Sequence, residues 1–152
     1  MRLLLQRVSR AAVRVGEETV ASIGPGMLVL VGVGRHDDRE VVDAMARRTA
    51  ELRMFAVEAG KTNRSLLETG GAAVVVSQFT LQADTSRGRR PGFSAAAPGP
   101  VADELYQRYA AALRYEGVAD VQQGRFGEAM AVELVNDGPF TIWLDSETPQ
   151  RA

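Results

Sequence analysis

The chain has 152 residues, 45% of them hydrophobic and 24% charged, with no cysteine and a single histidine, His36. That composition excludes disulfides, a thiolate nucleophile, cysteine-ligated zinc or iron–sulfur sites, and any triad or metal site that needs more than one imidazole. The formal charge of −1, from 18 basic and 19 acidic residues, gives no global basic excess of the kind that marks a nucleic-acid-binding domain.

The length fits one domain, residues 1–152, large enough to bury roughly 68–70% of its unfolded surface without staples. Four short strands are expected first, Leu3 to Val8, Ala11 to Val15, Thr19 to Ile23 and Met27 to Val33. Gly16-Glu17-Glu18 and Gly24-Pro25-Gly26 break them at the spacing of an antiparallel meander. The run Met27 to Val33 is far too short to span a bilayer, and the N-terminus has no apolar leader or cleavage site, so a cytoplasmic location is expected.

From Asp38 to about Phe55 the residues Val41, Val42, Met45, Thr49 and Leu52 recur at helical spacing, behind a candidate N-cap at Asp37 or Asp38. Residues 56–71 are glycine-punctuated and carry no clear period. Ala72 to Leu81 reads as a buried strand, and Val101, Leu105, Tyr109 and Leu113 mark a second helix behind Pro98 and Pro100. Two more strands are expected around Met130 to Val135 and Thr141 to Asp145, joined by a turn at Asn136-Asp137-Gly138-Pro139. The fold class is therefore α+β, antiparallel sheets forming a barrel-like core with two main helices.

Few segments offer chemistry. Gly32-Val33-Gly34 follows a strand but lacks the third glycine of a dinucleotide fingerprint, and His36 reads as an exposed loop residue. No cofactor or metal is implied. At Ser77-Gln78-Phe79-Thr80 an apolar strand abruptly acquires hydrogen-bonding side chains, which need partners if buried. A hydroxyl nucleophile there would lack an adjacent base, because no histidine or lysine lies nearby in sequence. In the 136–139 turn, Pro139 removes a ladder donor where a tight hairpin would need one. Arg87, Arg89 and Arg90 form the densest positive run, either a solvated loop or a phosphate contact.

Taken together, SQFTL at 77–81 and NDGPFT at 136–141 resemble the paired signature of D-aminoacyl-tRNA deacylases, the D-tyrosyl-tRNA deacylase family. MRLLLQRV at the start, the 60–66 segment, RPGF at 90–93 and GRFGEAM at 124–130 extend the likeness over essentially the whole chain. Phe140 and Thr62 depart from the commoner valine and methionine, beside the key residues.

The resemblance implies the family's fold and a homodimeric editing hydrolase, with active sites at the subunit interface, that cleaves D-aminoacyl-tRNA and glycyl-tRNA. It also implies a cis Gly138-Pro139 bond whose carbonyls enter the other subunit's pocket, Arg7 as the residue orienting that dipeptide, and Ser77, Gln78, Phe79 and Thr80 lining the site. Catalysis is expected to rest on Phe79 and Thr80 backbone N–H groups, with help from the substrate's ribose 2′-OH; the rival within this reading is the Thr80 hydroxyl as nucleophile. Arg87, Arg89 and Arg90 are the expected tRNA contacts. Two alternatives stand beside it: a non-enzymatic small-molecule-binding or dimerisation domain, and a hydrolase of free D-amino acid derivatives.

Overall fold

In the computed structural model, which describes residues 1–57 and 60–148, the first two expected strands are one. Arg2–Val15 forms a single 14-residue strand, β1, because nothing at Ser9-Arg10 breaks it and both halves find partners on the same edge. Residues 11–15 pair antiparallel with β2 (Glu18–Ile23) and residues 2–8 with β3 (Gly26–Gly32). Along the opposite edge of β1 runs β8 (Met130–Asp145).

β8 corrects the expectation of a C-terminal hairpin: the two expected strands are collinear and share one partner. Val8 pairs with Asn136 and Gln6 with Thr141, so residues 137–140 lie opposite the single residue Arg7 as an outward bulge. The cause is local, since Pro139 has no N–H to give the ladder and the chain must leave it there.

The 3.6-residue stripes form α1 (Arg39–Glu51) and α3 (Gly99–Tyr115). Asp38 Oδ1 caps α1 by accepting from Val41 N at 2.9 Å, which satisfies one of the first-turn donors. The inward stripe of α3 is Ala102, Leu105, Tyr106, Tyr109 and Leu113, one position on from the expected Val101, which is exposed. Between the helices lie β4 (Phe55–Ala56), β5 (Thr62–Arg64), the single turn α2 (Leu66–Thr69) and β6 (Ala72–Ser77). Ser65 and Glu68 form a reciprocal capping box on α2, a Ser-x-x-Glu signal that the reading of 56–71 missed.

β6 pairs parallel with β3, and β7 (Val121–Gln123) parallel with β6. A parallel neighbour needs a long crossover; α1 supplies it before β6 and α3 before β7. β2 returns towards β7, where Ser22 N donates to Gln122 Oε1 at 2.7 Å, so the sheet is nearly a closed barrel. Both of its faces are covered. Met27, Val29 and Val31 meet the helices through Val42, Met45, Tyr106 and Tyr109, while Leu28 joins Val13, Ile23, Val74 and Val76 on the other side. Two-sided burial is why β3 reads as an unbroken apolar run. Among the described residues no helix is long and apolar enough to cross a membrane.

Candidate active site

The strand expected to reach Leu81 stops at Ser77. Gln78 N still donates to Val31 O at 2.7 Å, and the chain then closes into a 3₁₀ turn over Phe79–Gln82, with Leu81 N donating to Gln78 O at 3.2 Å. Gly32 makes room for that turn: a Cβ there would stand 2.7 Å from Leu81 Cβ and 3.0 Å from Gln78 O. The first N–H groups of a helical turn have no partner within it. Those of Phe79 and Thr80 donate to no other group among the described residues.

The turn borders a cleft of ≈ 290 Å³ lined by Ser77, Gln78 and Phe79 on one side and Val31, Val33, Ala102, Tyr106 and Phe126 on the others. Among the described residues that line it, Tyr106 alone is titratable. Burial pushes the Tyr106 phenol up to about 12, and its hydroxyl donates to Val75 O at 2.8 Å, so it is neutral and engaged. Thr80 stands at the rim, outside the lining, and its Oγ1 accepts from the Gln78 side-chain amide. An amide N–H cannot remove a proton, so this hydrogen bond does not activate the Thr80 hydroxyl.

Gly138 and Pro139 are exposed at the tip of the β8 bulge, joined by a cis peptide bond, and do not line the cleft of their own chain. The bulge is held from below. Arg7, 8% exposed, donates from Nε to Asp137 O at 2.9 Å and from Nη1 to Met54 O at 2.8 Å. Its Nε also lies 3.0 Å from Asp137 Oδ2. Asn136 Nδ2 spans the base of the bulge, donating to Arg7 O at 2.8 Å and Phe140 O at 3.1 Å. The Arg7 guanidinium sits 4.2 Å from the centroid of the Phe140 ring, so this departure from valine adds a cation–π contact to the mooring. Thr62, the other departure, is exposed in β5.

Arg87, Arg89 and Arg90 are exposed on a loop closed by Asp84 and Gly92, whose backbones exchange two bonds of 2.8 Å. Among the described residues none of the three arginines has a carboxylate within 4.0 Å. Just beyond the loop, Phe93 packs edge-to-face on Phe79 with centroids 5.0 Å apart.

The structure thus gathers Ser77, Gln78 and Phe79 at one cleft with Thr80 beside it, and sets Arg7, Gly138 and Pro139 apart on the β1–β8 edge. Sequence reasoning missed the roles of Gly32, Asn136 and Tyr106. Asn136 had a signal, because an amide preceding Asp-Gly-Pro can bond to nearby backbone; Gly32 and Tyr106 had none outside the fold. Among the described residues no group of three or more His, Asp or Glu side chains is arranged to hold a metal.

A family model described as D-Tyr-tRNA(Tyr) deacylase matches residues 4–145. A D-aminoacyl-tRNA deacylase of Roseiflexus sp. (strain RS-1) is 57% identical over 146 residues, covering 96% of this chain and 94% of the relative. One of Dinoroseobacter shibae (strain DSM 16493 / NCIMB 14021 / DFL 12) is 58% identical over 146 residues, 95% of this chain and 99% of its own. Among solved structures, a c-Myc DNA unwinding element binding protein superposes with a TM-score of 0.91 at 36% identity, covering 99% of this chain and 100% of that one. A probable eukaryotic D-amino acid tRNA deacylase shares the fold at a TM-score of 0.83 and 19% identity, covering 94% and 97%. With a family model and relatives spanning nearly its full length, this chain belongs to the D-Tyr-tRNA(Tyr) deacylase family.

Proposed function

We propose that this D-aminoacyl-tRNA deacylase works in the cytoplasm as a homodimer, Gly138-Pro139 of each protomer entering the partner's cleft, and that it cleaves D-aminoacyl-tRNA and glycyl-tRNA while refusing L-aminoacyl-tRNA. The observation that carries this reading is a separation. The dipeptide is exposed, yet it is moored by a buried guanidinium and lies outside its own chain's cleft. Such a mooring serves a ligand only if another copy supplies the cleft. β8 also pairs only with β1 among the described residues, leaving its outer edge open, with Val135 41% and Trp143 48% exposed. A long free edge carrying apolar side chains favours a partner.

In this arrangement the Gly138 and Pro139 carbonyls accept hydrogen bonds from the substrate ammonium. A site that must accept many side chains yet refuse one enantiomer reads the Cα substituents with fixed groups. The carbonyls occupy the space of an L-configured Cβ, a D side chain points to solvent, and glycine has nothing to exclude. Ser77, Gln78, Phe79 and Thr80 face the ester and the terminal adenosine. Water attacks the ester carbon while the adjacent ribose 2′-OH assists. Phe79 and Thr80 N–H groups stabilise the oxyanion, the bond to the 3′ oxygen breaks, and that oxygen takes a proton. Losing one oxyanion donor typically costs about 10²–10³ in rate, comparable with the roughly 10²–10⁴ of a general base, so preorganised donors can replace the base the cleft lacks.

The test is release of amino acid from D-Tyr-tRNA, Gly-tRNA and L-Tyr-tRNA by the purified protein, with its mass in solution measured alongside. Turnover of the first two by a dimer, with L-Tyr-tRNA left intact, is expected. Equal turnover of both tyrosyl enantiomers would overturn the account of Gly138-Pro139, and full activity on a substrate ending in 2′-deoxyadenosine would remove the ribose hydroxyl from the mechanism.

A further inference from the structure

Two large apolar rings stand in water at the mouth of the cleft. Phe79, 56% exposed, lines it, while Phe93, 36% exposed, lies outside it and meets Phe79 edge-to-face. Phe93 immediately follows the Asp84–Gly92 closure, so the base of the arginine loop fixes where its ring stands. The chain then returns to the sheet: Arg35 N donates to Ala95 O at 2.9 Å and Ala97 N to Val33 O at 3.0 Å. Arg35, on the far side of that return, belongs to a separate polar hollow that Asp37, Asp145 and Glu147 also line, whereas Arg87, Arg89 and Arg90 stand exposed on the loop that leads into Phe93.

Arg87, Arg89 and Arg90 have no acidic partner within 4.0 Å among the described residues. In a chain of net charge −1, three arginines within four positions, on the loop that leads into the exposed rings, are a concentrated feature. An aromatic face bordered by cations is the chemistry that holds single-stranded nucleic acid, bases stacking and phosphates pairing.

Resting on the reading that the esterified terminal adenosine enters the cleft against Phe79, we infer that Phe93 stacks the base of the nucleotide immediately 5′ to that adenosine. The strand leaves the cleft past Phe79, crosses Phe93, and reaches the arginine loop. Phe93 is then a positioning residue for the RNA, separate from the groups that touch the ester.

The test compares D-Tyr esters of adenosine alone, of the trinucleotide CCA and of full tRNA. Stacking on one aromatic side chain supports roughly a tenfold effect. Phe93→Ala is therefore expected to lower kcat/KM on the trinucleotide and the tRNA by about tenfold relative to the adenosine ester, through KM, with Phe93→Trp restoring it. An equal loss on the adenosine ester and the trinucleotide would show Phe93 only propping Phe79 and overturn the inference, as would no loss on either. Wild-type protein inert towards all three esters would overturn the underlying deacylase reading and this one with it.

Discussion

The two segments proposed to meet across the dimer are held by opposite means. Residues 77–82 present N–H donors, and main-chain geometry fixes them: the end of β6, the bond from Gln78 N to Val31 O, and the space left by Gly32. Residues 136–140 present carbonyl acceptors, and side chains fix them: Arg7 from below and Asn136 across the base. A donor array built by the sheet tolerates side-chain changes, whereas an acceptor loop hung on two side chains does not. Discrimination between enantiomers is therefore expected to be easier to break than the chemical step.

Arg7→Ala is the strongest way to test that asymmetry. It removes the bonds to the Asp137 and Met54 carbonyls, at a cost of about 2–3 kcal/mol in folding stability for charge-assisted bonds. By releasing the bulge it is also expected to lower the ratio of kcat/KM on D-Tyr-tRNA to that on L-Tyr-tRNA by about 10²-fold, the scale of a 1 Å misplacement. Arg7→Lys keeps the charge but not the fork; if it restores both stability and selectivity, the guanidinium geometry is irrelevant and the comparison fails.

Gly138→Ala is next. Its Cβ would lie 3.2 Å from Asn136 Oδ1, a contact that needs only a small adjustment in an exposed loop. Thermal stability should change little, while activity falls by about 10-fold or more if the tip must fit closely into a partner. Wild-type activity in this variant would place the tip outside the site.

Thr80→Val tests the other segment. With the hydroxyl already accepting from Gln78, in a bond that does not activate it, a loss below about 10-fold is expected. A collapse beyond about 10³-fold with folding intact would make the hydroxyl the nucleophile, and residues 77–82 would no longer be a main-chain site.

The smallest effect concerns pH. Burial raises the Tyr106 phenol from 10.0 to about 12 and raises Tyr109 as well. A raised folded-state value favours the protonated form, so this contribution to stability is complete below about pH 10 and is lost as pH rises through about 12. Melting temperatures of wild type and Tyr106→Phe between pH 9 and 12 should converge as pH rises. The variant lacks the bond to Val75 O, worth about 1 kcal/mol at neutral pH, and has no phenol there to ionise.

Much of the fold is visible in local patterning. The 3.6-residue stripes locate α1 and α3, and the β-branched run locates β6, because burial of one face imposes its period on the residues themselves. What misled was continuity. Ser9-Arg10 looks like a gap and Asp137-Gly138 like a hairpin turn, yet both lie inside long strands, since a strand continues wherever its neighbour supplies the next partner. Leu81 fits a strand by composition but belongs to a turn, because the end of the sheet, and not the residue, decides where pairing stops.

The sequence by itself determined the α+β class, the poverty of side-chain chemistry, and the two segments that carry the family likeness, because residue identity and short-range period are local properties. Only the tertiary structure decided that these segments lie apart in one chain, that Arg7 and Asn136 moor one while Gly32 makes room for the other, and that Phe93 stands between cleft and basic loop. Those facts depend on the pairing of β1 with β8 and of β3 with β6, between residues more than a hundred and more than forty positions apart, which no local pattern encodes.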